Sequence, residues 1–340
     1  MLTGKARNYL YLLSLTPALF CIYGNLHGGI FTLGNTIYSL GFLGAIEWFT
    51  KPIGSNQASA KDDYFPQLVL LLHLPFQILN TGTFIYGIQS GIIEGNWIYA
   101  ASLSTAVNSG SSAIIVAHEF IHRKAKLEQF FGRFLLFSTG NMYFFIDHLR
   151  VHHKWVGTEK DHATARKGES LYAFFFRSSL GQFLGAIKLE NARLKTEGKS
   201  NWGMNHYVYR QLLLHAALDT CLFQYGGWVL VAAWFLHCII ANFLLEYVNY
   251  VQHYGLQRAE NTRVTEIHSW DSDSFVSRFV MVDLSRHADH HYYASKPYHT
   301  LSNYENSPKM PSGYAGLFFI AAIPPLWKNV IGGRLTAAGF

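Results

Sequence analysis

Two histidines four residues apart, with a glutamate after the first, stand in "HEFIH", residues 118–122. On a helix they lie one turn apart on one face, where they can hold zinc while the glutamate activates water, as in zinc peptidases. Such an enzyme needs one further ligand and an open position for water. This chain offers far more. His148, His152 and His153 stand in "DHLRVHH", His253 in "NYVQHYGLQR", and His287, His290 and His291 in "RHADHH". With His118 and His122 they make nine of the 17 histidines. Spacings of three to five residues place the members of each cluster on one helix face. Three such faces converging can saturate two metal ions, although imidazole alone does not choose among Fe, Cu, Zn and Ni. Glu119, Asp147, Asp161 and Asp289 lie beside the clusters, where a carboxylate can accept an imidazole N–H and fix its tautomer. A surface ion pair is the competing role for each.

The elements that carry these residues are apolar. Of 340 residues, 50% are hydrophobic, 16% aromatic and only 14% charged, against roughly 25% charged in a soluble domain. No Asp, Glu, Lys or Arg occurs from Asn8 to Ile46 or from Tyr64 to Ile93. A membrane helix needs about 20 largely apolar residues. The pattern predicts an all-α, multi-pass membrane protein forming one catalytic domain over residues 1–340. Six spans are expected, at residues 8–25, 30–48, 65–90, 97–117, 207–224 and 228–248. The fifth is short and contains Asp219. Inserts at 123–206 and 254–340 carry the later histidine clusters. In the first insert, "FFGRFLLFSTGNMYFFIDHLR" suits a helix buried beneath the bundle, and residues 165–195 an amphipathic helix at the interface. Near the C-terminus, "GYAGLFFIAAIPPLW" is too short to cross.

The 27 Lys and Arg avoid the turns near Asn25–Gly29, Gln89–Asn96 and Gln224–Gly227 and fall on alternate connections. The positive-inside rule then puts both termini and all the histidine clusters on the cytoplasmic side of the inner membrane. The formal charge of +6 is scattered rather than striped, so it speaks for anionic lipid or an acidic partner and not for nucleic acid. Cys21, Cys221 and Cys238 show no CxxC spacing, which excludes a rubredoxin-type iron site within the sequence. The basic N-terminus followed by an apolar run is taken as the first span rather than a cleaved signal. His73 and His237 fall inside spans and are read as packing residues. His162, His268 and His299 are read as surface or packing neighbours of the clusters, and His27, His206 and His215 carry no signal.

At these motifs the sequence resembles the integral-membrane alkane hydroxylases of the AlkB type, within the histidine-rich membrane desaturase and hydroxylase superfamily. "HEFIH", "HLRVHH" and "HADHH" match its three boxes, and "NYVQHYGLQR" resembles the further box that separates alkane and xylene hydroxylases from desaturases. "GESLYAF" and "IPPLW" extend the likeness along nearly the whole chain. The resemblance implies six membrane helices and two iron ions held by the nine clustered histidines. It also implies O2 as oxidant, terminal hydroxylation of medium or long-chain alkanes, and electrons from a separate rubredoxin served by its reductase. Asp147, Val151 and Gln252 stand where the family pattern has Glu, Gly and Glu. A xylene-type methyl hydroxylase or a lipid desaturase is the alternative within the superfamily. Outside it stand the zinc peptidase and a metal transporter, the latter disfavoured by first, second and fourth spans that lack charge but for Glu47 at the end of the second.

Overall fold

The computed structural model describes residues 4–53 and 63–340. Residues 1–3 and most of the Lys51–Tyr64 connection, both expected on the basic side, lie outside the described residues. Those residues form no strand, only an isolated bridge between Asp271 and Lys309. In chain order the helical stretches are α1 (Ala6–His27), α2 (Gly29–Phe49), α3 (Tyr64–Gln89) and α4 (Trp97–Ile121). Then come α5 (Lys126–Phe137), α6 (144–155), α7 (Leu171–Thr196) and α8 (Tyr207–His253). The C-terminal part holds α9 (Phe275–Val280), α10 (His287–Tyr292), α11 (Tyr314–Ala321) and α12 (Pro324–Ala337).

Five stretches are long and apolar enough to cross a membrane: α1 to α4, and α8 with 47 residues. The expected fifth and sixth segments are joined in α8, which Gly227 interrupts at φ 67°, ψ −165°. Gly28, between α1 and α2, has nearly the same backbone angles, φ 67° and ψ −166°. Glycine takes this conformation without a Cβ penalty. Past Gly227 the chain doubles back, so that Leu222 of one arm packs with Leu230 and Trp234 of the other.

The bundle has two distinct ends. At one, an added Cβ on Gly28 would strike the Ile92 carbonyl oxygen, and Ile85 and Ile88 pack on both arms of α8. At the other, Arg7 donates to the His299 carbonyl at 2.9 Å and the Ile53 amide donates to the Asp273 carbonyl at 2.8 Å. The start of α1, the end of α2 and the C-terminal part therefore share one end. Within the bundle α4 is central: 83% of its apolar window is buried inside the protein, against 28% for α2. It carries "HEFIH" at its C-terminal end.

The expected helix beneath the bundle is a hairpin of α5 and α6. Its tip reaches the middle of α3 and α8, where Gln77 donates to Ser138 Oγ at 3.1 Å and Asn242 to the Thr139 carbonyl at 3.1 Å. His215 Nε2 approaches the Phe137 carbonyl at 3.2 Å. Non-helical backbone at bilayer depth is tolerated only where protein groups satisfy it; Asn242 and His215 meet backbone carbonyls here, and Gln77 meets the Ser138 hydroxyl. Along α7, Phe174, Ser178, Gln182, Ala186, Glu190 and Leu194 form a buried stripe four residues apart. Gln182 on that stripe bonds Glu246 of α8 at 2.8 Å, while Phe176, Leu180 and Leu184 are exposed.

One carboxylate ties the membrane helices to the C-terminal part. Glu47, buried at the end of α2, accepts from Ser274 Oγ at 3.0 Å, the Ser277 amide at 2.8 Å and the Gly316 amide at 2.7 Å. Stranding buried donors costs about 1–3 kcal/mol each. Glu47→Leu is expected to lower the unfolding temperature of the solubilised protein and to open the segment after residue 273 to limited proteolysis, with far-UV circular dichroism unchanged.

Candidate metal centre

The nine clustered histidines meet at the end of the bundle shared by Arg7 and Ile53. Their nitrogens form two groups, one of His118, His122, His148, His153 and His290 and one of His152, His253, His287 and His291. Within each group the ligand atoms lie within 4.8 Å of one another. The clusters do not map one to one onto the groups. Along α10, His287 and His291 face one group and His290 the other, because residues three and four apart diverge by about 100° around a helix. In α6, His148–His152 is a wide π turn, and His152 points away from its neighbours His148 and His153 into the second group.

The nitrogen contacts are not hydrogen bonds. His148 Nε2 lies 3.0 Å from both His122 Nε2 and His153 Nε2, and His153 Nε2 lies 3.2 Å from His290 Nε2. In the second group His287 Nε2 is 3.2 Å from His253 Nε2 and 3.0 Å from His291 Nε2. A ring nitrogen carries one proton or one lone pair, so it cannot pair with two others. Nitrogens about 2.1 Å from a common ion and at right angles to one another lie about 3.0 Å apart. Buried His118 Nε2 and His152 Nε2 have no protein partner. This donor set fits two cations.

Electrostatics agree. Burial, and then the neighbouring imidazoles, hold His148, His153, His287, His290 and His291 well below the usual histidine range. His122 is pushed down to about 3 by burial, His152 and Arg123. All six rings are neutral near pH 7, the form that ligates metal.

The four flanking carboxylates divide. Asp161 Oδ2 lies 2.9 Å from His152 Nδ1 and also accepts from Thr164 Oγ1 at 2.6 Å. Burial raises its affinity for a proton, but the His152 ring and these hydrogen bonds prevail and leave it below the ordinary carboxylate range. The proton on His152 Nδ1 is thereby held, and Nε2 is left free for metal. His253 Nδ1 is oriented by the His268 carbonyl at 3.3 Å, a backbone partner that no side-chain motif announces. Glu119 instead pairs with Arg123 at 2.5 Å and accepts from the Tyr298 amide at 3.3 Å. Asp289 accepts from Ser302 N at 2.6 Å and Tyr304 Oη at 2.8 Å and pairs with Lys296. Asp147 is buried with neither oxygen hydrogen-bonded; burial, then Asp161 and Glu246, raise it well above the usual range. Gln252 donates to Tyr314 Oη at 2.8 Å.

The helix carrying "HADHH" is set by a strained turn. Val282 and Asp283 have φ of 43° and 52°, unusual for residues with a Cβ and costly for a branched one. Asp283 offsets that cost by accepting from Arg278 Nε at 2.6 Å and from Tyr11 Oη. The Ala288 amide is capped by Asp271 Oδ1 at 2.8 Å.

An apolar cleft leads to the histidines. Its outer part opens between α2, α4, α8 and α11 past Leu40, Leu43, Leu244 and Phe318. Its narrow inner part ends on His118, His148 and His287, which belong to both groups. Gly110, Ile115 and Val248 line both.

The profile of the fatty acid desaturase family matches residues 95–321, a stretch that holds all nine histidines. The chain belongs to the fatty acid desaturase family. Among curated members it is 36% identical over 286 residues to alkane 1-monooxygenase 1 of Pseudomonas aeruginosa, covering 80% of this chain and 75% of that protein. It is 34% identical over 278 residues to alkane 1-monooxygenase 2 of Alcanivorax borkumensis, covering 80% and 70%. It is 30% identical over 271 residues to the hydroxylase component of the xylene/toluene monooxygenase of Pseudomonas putida, covering 79% and 73%. Within the desaturase family the chain is thus of the alkane hydroxylase type, and its HExxH is a family box rather than a peptidase site.

Sequence reasoning left His73 and His237 as packing residues. The structure buries both and partners each with a serine of α4, His73 Nδ1 with Ser112 Oγ at 2.6 Å and His237 Nε2 with Ser109 Oγ at 2.9 Å. Their signal was a polar side chain inside an apolar run, which is costly unless it is partnered.

Replacing a carboxylate that orients a metal-bound histidine commonly weakens metal affinity by roughly 10–100-fold. Asp161→Ala is therefore expected to lower the metal content of the purified protein under limiting metal. Glu119→Gln, which touches no ligand ring, is expected to leave metal content unchanged. Metal analysis of both variants checks the pair.

Proposed function

We propose that the protein is an alkane 1-monooxygenase that hydroxylates the terminal carbon of medium- or long-chain hydrocarbons at a pair of iron ions. One observation carries the reading: nine imidazoles in two groups stand at the closed end of an apolar cleft that opens among membrane helices. The overall change is RH + O2 + 2 e⁻ + 2 H⁺ giving ROH + H2O. When bound, the iron pair supplies the O2 chemistry and C–H oxidation that no side chain performs. His118, His122, His148, His153 and His290 would hold one ion, and His152, His253, His287 and His291 the other.

The remaining work belongs to the protein. Asp161 Oδ2 and the His268 carbonyl fix the tautomers of His152 and His253. Leu244, Val248, Ile114 and Ile115 line the cleft with hydrocarbon, exclude water and hold an extended chain end-on. A charged substrate would lose several kcal/mol on entering from the bilayer, whereas an alkane loses nothing. The inner cavity is narrow and meets both groups at its end, which favours attack on a terminal carbon. The whole chain then acts as one membrane-embedded catalytic domain. The two arms of α8 count as separate crossings, six in all, with both termini and the histidine end in the cytoplasm of an inner-membrane protein.

Metal analysis with turnover of medium-chain alkanes under oxygen-18 tests this. Two irons per chain and one labelled oxygen atom in the 1-alcohol are expected. A single zinc, or an alkene product, would overturn it.

Cys21, Cys221 and Cys238 form no CxxC pair, so we assign electron delivery to a rubredoxin with its reductase. Beside the Asp161–His152 pair, Gly157, Thr158, Arg166 and Arg258 line a solvent-open cleft of roughly 770 Å³. This cleft carries both signs, Glu159 and Glu260 beside Arg166 and Arg258, but an acidic carrier drawn by the formal charge of +6 is screened by salt. Turnover with rubredoxin is expected to fall as ionic strength rises from about 0.02 to 0.5 M, a range over which the Debye length shrinks several-fold. Salt-independent rates would count against an acidic donor.

A further inference from the structure

The central helix α4 is not regular. Ser109–Ala113 forms a π turn eight residues before the HEFIH glutamate region closes at Ile121. Wide turns of this kind cost helix stability and concentrate at functional sites. This one is held by side chains from three other helices. His73 of α3 is buried with Nδ1 at 2.6 Å from Ser112 Oγ and Nε2 at 2.9 Å from Ser14 Oγ of α1. Ser14 Oγ already donates to the Tyr11 carbonyl at 2.6 Å, so His73 donates through Nε2 and accepts from Ser112 at Nδ1. His237 of α8 meets Ser109 Oγ at 2.9 Å, and Gln77 of α3 donates to that same hydroxyl at 3.1 Å. Ser111 Oγ closes back on the Val107 carbonyl at 2.8 Å, occupying an acceptor that the wide turn frees.

The opposite side of this turn is the waist of the apolar cleft. Gly110 lines both the outer and the inner cavity, Ser111 the outer one. A Cβ on Gly110 would lie 3.0 Å from Leu244 Cβ across the cleft. Helix phase is the link between the two sides. A relaxed α-helical turn would rotate the neighbouring residues by about 100° per residue gained or lost, and would carry bulkier Ile114 or Ser112 into the place that Gly110 keeps open.

Building on the function proposed above, we propose that the clamped π turn at Ser109–Ala113 is the selectivity element of the enzyme. His73 and His237, acting through Ser112 and Ser109, hold Gly110 at the waist of the cleft and so set which carbon of a linear chain reaches the metal groups. Both histidines are positioning residues; neither touches substrate or metal.

The test compares wild type with Ser109→Ala/Ser112→Ala in lipid nanodiscs. Three quantities are read: metal per chain, hydrogen exchange of the amides of residues 109–116, and the ratio of 2-alcohol to 1-alcohol from n-octane and n-dodecane. Metal content is expected to hold, exchange to quicken, and the alcohol ratio to rise at least about threefold, modest beside the roughly 10-fold or more that one methylene position commands in a tight apolar pocket. Ser112→Thr, which keeps the hydroxyl, is expected to restore the wild-type ratio. If the double variant does not insert, His73→Gln carries the same three readings. An active wild type whose variants loosen the turn yet keep the product ratio overturns this inference alone. A wild type inert toward every hydrocarbon overturns the preceding proposal and this one with it.

Discussion

Nine imidazole nitrogens crowded into two small groups repel one another unless positive charge sits between them. The rings are buried or half-buried, and their ring nitrogens face one another rather than protein hydrogen-bond donors. His148 Nε2 alone faces two other nitrogens at 3.0 Å. In a low-dielectric interior that arrangement is costly without cations and strongly favourable with them. The rest of the structure exists to bring those lone pairs together and to keep water and protons from satisfying them in another way.

The bundle meets this demand by unusual means for a membrane protein. Its central helix, α4, is surrounded by protein rather than lipid. The α5–α6 hairpin pushes non-helical backbone to bilayer depth and is received there by Gln77, His215 and Asn242. Polar side chains within apolar spans, which look like liabilities one at a time, serve as fixed partners for backbone groups that hydrocarbon cannot solvate. The same economy explains Glu47 and Asp283. Each spends a buried carboxylate to fasten the C-terminal part, with its histidine helix, onto the membrane helices.

Geometry also separates the reaction site from its feeding surfaces. The apolar cleft approaches from among α2, α4 and α8 and ends on rings from both groups. The polar face, with Asp161 and Arg258, lies on the other side of the same histidines. Hydrocarbon and reducing equivalents can thus reach one centre from different phases. The family members that share 30–38% identity with this chain include monooxygenases named for alkanes and for xylene and toluene.

Much of this was legible in the sequence because it is written locally. Apolar runs fix which segments can cross, Gly28 and Gly227 mark reversals, and residue type at three- and four-residue spacing marks nine histidines from His118 to His291 as candidate metal ligands. The resemblance carried by those motifs gave the family. Only the tertiary structure decided the rest. Which histidine joins which group depends on helix phase, and the π turns at Ser109–Ala113 and His148–His152 shift that phase without any signature in composition. Which carboxylate orients a ligand depends on where distant chain segments dock: Asp161 reaches His152, whereas Glu119, adjacent to His118, turns to Arg123. Local sequence specifies chemistry and propensity, while partners separated by a hundred residues are chosen by packing alone.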